Sequence, residues 1–540
     1  MLRLWVNTNM RKTPSICFAI CVGITGLLHA QEAGKPKALM AAFSVAERPC
    51  GTVEECRAAI TGGNPETREQ AATKLVSFGK DGFAALAELY TSADAGIRNA
   101  VVATLTRNRQ ETAPLLMELL KDRDSRVREN AAGLLGRYWD IVPVPGLIEA
   151  LKNDSGRVRA KAAWTLGNKG TLAKDAIPAL AAALGDGDSY VRENAAAALG
   201  QMGPAAKDSV PALIKALDDA DKPVREKAIE ALGKLGKEGK AAVPALTGAL
   251  KDPDSELRKK AAWAFYEMGP AAAPAAAELA DALEDQNNDV RNHAARTLVL
   301  IGEPAVAPLI NILTRDEDGR SVTGATDALG EIGRPAVPAL TATLKSGDGR
   351  LRLRAMSALA KIGSAAKDAV PALNTLLKTA NDETRFNILK TLWRIEPPTW
   401  SVVKAHLADQ DPRVRPMAIS ELARQDLRGK EQLHALISAL KDEDFLVRGD
   451  ALRALAMWEA QAKDAVPALI GILLTPESPD RMDAAFTLGR IGPAAKDAVP
   501  ALKKALKDGD QFLRSRAARA IEEINSEEAH KKGFSYGPGR

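Results

Sequence analysis

The chain has 540 residues, with 74 Lys and Arg against 69 Asp and Glu, a formal net charge of +5 and 4% aromatic residues. A globular chain of this length would divide into roughly three or four domains. Its apolar residues are mostly Ala and Leu, however, which argues against a large aromatic core and for all-helical, small-residue packing.

At the N-terminus, Arg3, Arg11 and Lys12 precede an apolar run over 16–28 that ends in His29-Ala30-Gln31, the order of a secretory signal peptide. Met10 is an alternative start. The run is about half of the roughly 20 residues that a membrane-spanning helix needs, so no permanent anchor is expected. Phe18-Ala19-Ile20 before Cys21 lacks the small residue that a lipoprotein cleavage site needs just before its Cys. The sequence therefore predicts removal of 1–30 after Ala30, export to a periplasm or the cell exterior, and no transmembrane segment in the mature chain.

Cys17 and Cys21 leave with that segment. Cys50 and Cys56 remain in CGTVEEC, within an N-terminal cap or linker over 31–63. In an oxidising compartment this pair can form a disulfide. The alternative is two unpaired thiols, since sequence does not give bridge geometry. Neither Cys belongs to a CxxC metal pair or a CxxCH haem site.

A repeat follows. GPAAKDSVPAL at 203–213 returns as GPAAKDAVPAL at 492–502, and Pro178, Pro211 and Pro244 stand 33 apart, as do Pro338 and Pro371, and Pro467 and Pro500. Asp175, Asp208, Asp464 and Asp497 are placed to cap a helix, with the proline three positions on inside its first turn. After an acidic turn, a second helix opens with an apolar residue and Arg: Val191-Arg192, Val224-Arg225, Leu257-Arg258 and Val290-Arg291. Ala four places on and Leu or a similar residue at eight share one helix stripe, and Gly often follows at twelve. One hairpin of this size cannot bury such stripes, whereas a stack of them can.

The pattern AVPALxxxLxDxDxxVRxxAAxALGxxG resembles the HEAT repeat, in the variety of the phycobilisome lyase-like proteins. It covers about 64–525: an initial half-repeat containing Thr67-Arg68, then about fourteen helical pairs. The resemblance implies an all-α, right-handed α-solenoid whose second helices line a concave face.

The opening Arg recurs at almost every repeat, which suggests an anion site. Acidic turn residues such as Asp186, Asp188, Asp442 and Asp508 stand beside it, and the reading preferred is an Asp–Arg ladder that ties neighbouring turns together. On the second helices, offsets 3, 6 and 10 from the opening apolar residue point away from the buried stripe and define an exposed ridge, expected to line the concave face and to hold the partner there. Trp164, Trp263 and Phe486 fall on it, either as partner anchors or packed sideways against a neighbouring repeat. Its cations include Lys161, Lys227, Lys260, Arg296, Lys390, Arg453, Arg107, Arg137, Lys234, Lys361, Arg394, Arg424 and Arg490. With Arg354, Arg516 and Arg519 the ridge counts sixteen positive against seven negative residues, and so reads as selectively basic.

Around 395–432 the pattern breaks: RIEPPTWSVV replaces the usual linker, Pro397-Pro398 interrupts helix, and RQDLRGKEQ follows. This region, with Trp400, is a bend or a specialised contact. The charged, Gly- and Pro-containing tail 526–540 reads as disordered.

With His293, His406, His434 and His530 as the mature histidines and no HExxH, phosphate loop or nucleophile elbow, the expectation is a non-catalytic, monomeric scaffold without a cofactor. Its expected partner is a protein with an acidic or extended segment, or an anionic envelope polymer, and not nucleic acid. The resemblance supplies the alternative, a bilin or tetrapyrrole lyase-type enzyme or chromophore binder, although it rests on repeat-building residues that carry fold and not chemistry.

Overall fold

The computed structural model describes residues 50–315, 319–424, 429–508 and 510–525. The expected signal segment 1–30, most of the 31–63 linker and the tail 526–540 lie outside them. The described elements are all helical. The chain divides into two compact units, Met1–Met268 and Gly269–Arg540.

Each regular repeat begins with its GPAAKDS-type segment wound as a 3-10 helix, such as Gly203–Ser209, which runs into a seven-residue α-helix, Val210–Ala216. Pro211 sits in the first turn, where a missing N–H loses no intrahelical bond. The caps expected from Asp175, Asp208, Asp464 and Asp497 do not form. The cap positions are Ala176, Ser209, Ala465 and Ala498, none with a side-chain cap bond. The reason is that the 3-10 turn is continuous with the helix: the Val210 N–H already donates to the Lys207 carbonyl.

Capping falls instead on the acidic turn before the second helix. Asp94, Asp124 and Asp188 in the first unit, and Asp348 and Asp444 in the second, each accept the N–H two places on at 2.7–2.9 Å. Each such cap contributes about 1 kcal/mol.

The second helices bury the expected stripe: Ala195 and Leu199, then Ala228 and Leu232, are fully inaccessible. They end on glycine in the left-handed region, with Gly170, Gly203 and Gly236 in the first unit and Gly302, Gly333, Gly363 and Gly492 in the second at φ of 52–76°. At the same register stands Glu459, φ 52°, the one non-glycine residue of positive φ among the described residues. Glycine has a second use three places earlier, where consecutive second helices touch. A Cβ on Gly200 would lie 2.9 Å from the Ala231 Cα, and one on Gly233 would lie 2.7 Å from the Ala264 Cα.

At the N-terminal end Cys50 and Cys56 are joined by a disulfide, their Cα atoms 5.0 Å apart. Helix Val53–Gly62 packs on helix Pro65–Val76, so the half-repeat containing Thr67-Arg68 has a first helix of its own. In the irregular stretch, helix Asp382–Ile395 stops before the double proline and a short helix, Trp400–His406, follows. Trp393 meets the His406 ring edge-on at 5.5 Å. Trp400 is half-buried, and its Nε1 donates to Glu431 Oε2 at 3.1 Å. Among the described residues no helix is long and apolar enough to cross a membrane.

Candidate functional site

The arginine ladder is part of the scaffold. Arg192 Nη1 donates to the Asp186 carbonyl of its own turn at 2.9 Å, while Nε and Nη2 hold both oxygens of Asp219 in the next repeat at 2.7 and 2.8 Å. Arg159 grips Asp186 in the same bidentate way at 2.7 Å. In the second unit Arg415 holds Asp442 and Arg481 holds Asp508. These guanidiniums keep the Asp186 and Asp219 carboxyls below the usual carboxylate range, chiefly by hydrogen bonding and against the effect of burial.

The repeat around Ser321 lacks this arginine and is tied differently. Ser321 N–H donates to Glu284 Oε2 at 2.8 Å, and Arg354 of the following repeat reaches back to the carbonyls of Leu313 and Arg315, both at 2.6 Å. Arg354 is therefore 8% exposed rather than part of the outward ridge, a correction to the sequence reading. An arginine aimed at main-chain carbonyls and one aimed at solvent look alike in sequence.

At offset 6 the ridge is accessible, since no described residue there is buried. In the first unit Trp164 and Trp263 are half-buried and lie over glycines of the preceding repeat. A Cβ on Gly136 would meet Trp164 Cζ3 at 2.9 Å, and one on Gly233 would meet Trp263 Cζ3 at 3.3 Å. In the second unit Phe486 is half-buried under the Arg516 guanidinium, 5.2 Å from its ring centre.

The basic excess is narrower than the count suggests. Seven of the ridge cations pair with carboxylates: Arg107 with Glu69, Lys227 and Lys260 with Glu230, Lys361 with Asp327, Arg453 with Asp450, Arg490 with Glu459 and Arg519 with Glu523. Burial works against the Glu230 carboxylate, yet Lys260 at 2.5 Å and Lys227 at 2.9 Å hold it below its ordinary value. Among the described residues, Arg137, Lys161 and Lys234 in the first unit, and Arg296, Lys390 and Arg394 in the second, keep no carboxylate within ion-pair distance. The Arg424 side chain lies outside the described residues.

Two hollows open on this ridge at a similar register. The first, about 310 Å³, is lined by Ala132, Gly133, Arg157, Ala160, Lys161, Trp164, Tyr190 and Asn194. Lys161 Nζ stands 3.9 Å above the Trp164 ring. Burial, with Arg157 nearby, holds this ammonium below the ordinary lysine value. The second hollow, in the second unit, is lined by Met482, Asp483, Phe512, Ser515, Arg516 and Arg519.

Tyr190 and Phe512 are 61% and 73% exposed, and the sequence reading missed both. The signal was present: each directly precedes its opening apolar residue, and at 100° per residue that offset falls on the ridge side.

Helical hairpins repeated about every 33 residues and tied turn to turn by arginine define a helical-repeat solenoid. A HEAT repeats profile matches 144–233, 210–298, 250–326, 276–350 and 401–489, more than half of the chain. A second HEAT repeat profile matches 113–142, and the PBS lyase HEAT-like repeat matches 351–379 and 480–508. The chain belongs to the HEAT-repeat family.

Among solved structures it is similar to Kap121p, at 15% identity and a TM-score of 0.44, over 83% of this chain and 57% of that one. Kap121p bound to Nup53p gives 14% and 0.45, over 81% and 56%. Yeast importin-beta, Kap95p, gives 17% and 0.37, over 82% and 72%. The chain thus spans a little over half the length of Kap121p. No curated protein matches the sequence.

Proposed function

We propose that the protein is an exported, non-catalytic scaffold that holds an acidic or extended segment of a partner protein on the outward side of its second helices. An anionic envelope polymer is the other ligand of the same charge. The observation that carries the reading is the ridge. At offset 6 it is accessible along both units, it presents Arg137, Lys161, Lys234, Arg296, Lys390 and Arg394 with no ion-pair partner among the described residues, and Trp164, Trp263 and Phe486 stand half-buried on the same ridge. Such a surface attracts acidic chains in a salt-dependent way and anchors them on aromatic faces. Export is supported by the basic, apolar and small-residue order of 1–30.

The test uses labelled oligo-glutamate and oligo-glutamine peptides against the mature chain and a variant with Arg137, Lys234, Lys390 and Arg394 changed to Glu. Oligo-glutamate is expected to bind the native chain at low salt, and to be lost at moderate salt and in the variant. Equal binding of both peptides would sink the reading. Export is checked by fractionation and by finding Gln31 at the mature N-terminus.

The PBS lyase HEAT-like matches at 351–379 and 480–508 support a second reading, tetrapyrrole handling. It requires a visible absorption band that co-elutes with the protein after incubation with a bilin.

A further inference from the structure

Three lysines stand at offset 3 on the ridge of the first unit, and they are not equivalent. Lys227 has Glu230 three places on and bonds to it at 2.9 Å, and Lys260 reaches the same carboxylate at 2.5 Å. Lys161 has Trp164 three places on, as Lys260 has Trp263, but the preceding repeat carries Gly133 where Lys260 finds Glu230. The Lys161 ammonium therefore lies over an indole at 3.9 Å, with no carboxylate among the described residues within ion-pair distance. An aromatic face attracts a cation but does not neutralise it. The charge is also partly desolvated: Arg157 sits one turn earlier, and a side chain at Gly136 would strike Lys161 Nζ at 2.8 Å, so the ammonium rests on the preceding helix.

A half-buried cation without a counter-ion is unfavourable until a ligand supplies one. On one side of the hollow the Tyr190 ring is largely exposed, and Asn194 Nδ2 donates back to the Tyr190 carbonyl at 2.7 Å, leaving the Asn194 amide oxygen to accept an N–H.

We propose that this hollow is a receptor for a single carboxylate side chain, followed by an aromatic or apolar residue, in an extended segment of a partner protein. The inference deepens the scaffold reading and rests on it. Lys161 takes the carboxylate beside Arg157, whose own pair with Glu129 is a long 3.8 Å, Trp164 and Tyr190 cover the neighbouring side chain, and Asn194 takes a backbone N–H. One unpaired ammonium in a hollow of about 310 Å³ matches one carboxylate better than a polyanion, whose closely spaced charges would need a row of free cations. At this register the neighbouring Lys227 and Lys260 are already neutralised.

The experiment titrates the mature full chain with the peptide acetyl-(Glu-Phe-Ser)3-amide and with its Gln-for-Glu counterpart, and maps lysine acylation with and without peptide by mass spectrometry. The Glu peptide is expected to bind and to protect Lys161 more than Lys227. The Gln peptide, and the Lys161→Gln variant with the Glu peptide, should each bind about tenfold more weakly, the size of one charge-assisted hydrogen bond. Lys161→Arg should keep most of the affinity, which separates lost charge from disturbed packing. Unchanged affinity in Lys161→Gln overturns the receptor, as does protection of Lys161 by dextran sulfate but not by the peptide. If oligo-glutamate still binds the ridge while Lys161→Gln is silent, the receptor falls and the scaffold stands. If no probe binds, both fall.

Discussion

Glu459 stands in the left-handed region, φ 52°, and its carboxylate takes Arg490 of the next repeat at 2.5 Å. The equivalent residue of regular repeats such as those ending at Gly363 and Gly492 is glycine. One position thus carries a backbone conformation that disfavours glutamate and an ion pair that uses it.

Strain of this kind costs about 1–3 kcal/mol, whereas an exposed ion pair returns about 0–1 kcal/mol. Glu459→Gly is therefore expected to stabilise the second unit by about 1 kcal/mol, after the entropy that glycine adds to the unfolded chain. Glu459→Gln should change stability by less than about 0.5 kcal/mol. Thermal melting of the two variants checks the pair, and a destabilised Glu459→Gly would show that the carboxylate is the larger effect.

Gly200 and Gly248 are both helical, and the same change at each has opposite expected signs. A Cβ on Gly200 meets backbone at 2.9 Å, while one on Gly248 has nothing within 4 Å. Gly200→Ala should force the two second helices apart and cost about 1–3 kcal/mol. Gly248→Ala should gain about 0.5–1 kcal/mol from helix propensity. Hydrogen exchange within Ser189–Met202 and Val243–Ala249 reads each locally.

Removing a ladder arginine should be severe. Arg192→Gln leaves Asp219, 10% exposed, with its main partner gone and the turn carbonyls unsatisfied. The expected cost is about 2–3 kcal/mol, seen as faster exchange in Ser189–Met202 and in the turn that holds Asp219. Removing the exposed Arg126, whose pair with Asp124 is 3.6 Å long, should cost less than about 0.5 kcal/mol.

The same bonds set an acid limit. Asp186 and Asp219 have folded carboxyls held below the ordinary value, first by Arg159 and Arg192 respectively. A carboxylate depressed on folding adds stability that is fully present above its unfolded value of about 3.9 and is lost as pH falls through the folded value. Stability of the first unit should therefore be flat with respect to these groups from neutral pH to about 5 and decline below about 4, and Arg192→Gln should flatten that decline. A decline that begins near pH 6 would point to other groups.

Much of the fold was legible because repetition amplifies weak signals. Pro211, the Val224-Arg225 opening and Gly236 mean little alone, yet at constant spacing they locate both helices and the turn. The cap assignments failed at Asp208 because GPAAKDS reads as a loop ending in a capping residue, and only the folded chain shows a 3-10 turn that removes the need for one. On the ridge, the offsets placed Trp164 and Lys161 on one face correctly. Whether Lys260 finds Glu230, or Arg354 turns inward to Leu313, depends on how adjacent repeats are stepped and on side-chain rotamers. The sequence of one repeat does not contain that information.

Arg159 meets Asp186, Arg192 meets Asp219, Arg415 meets Asp442 and Arg481 meets Asp508, and every one of these pairs spans 27 residues. A clasp written at constant separation does not record which neighbour it closes on. A gene segment encoding one whole hairpin can then be duplicated or lost, and the residues at the new junction still find their partners; the clasps Arg385–Asp409 and Arg448–Asp480, across 24 and 32 residues, close on hairpins of other lengths as well. Near-identical stretches such as 203–213 and 492–502 are what such copying leaves behind when the parts are interchangeable.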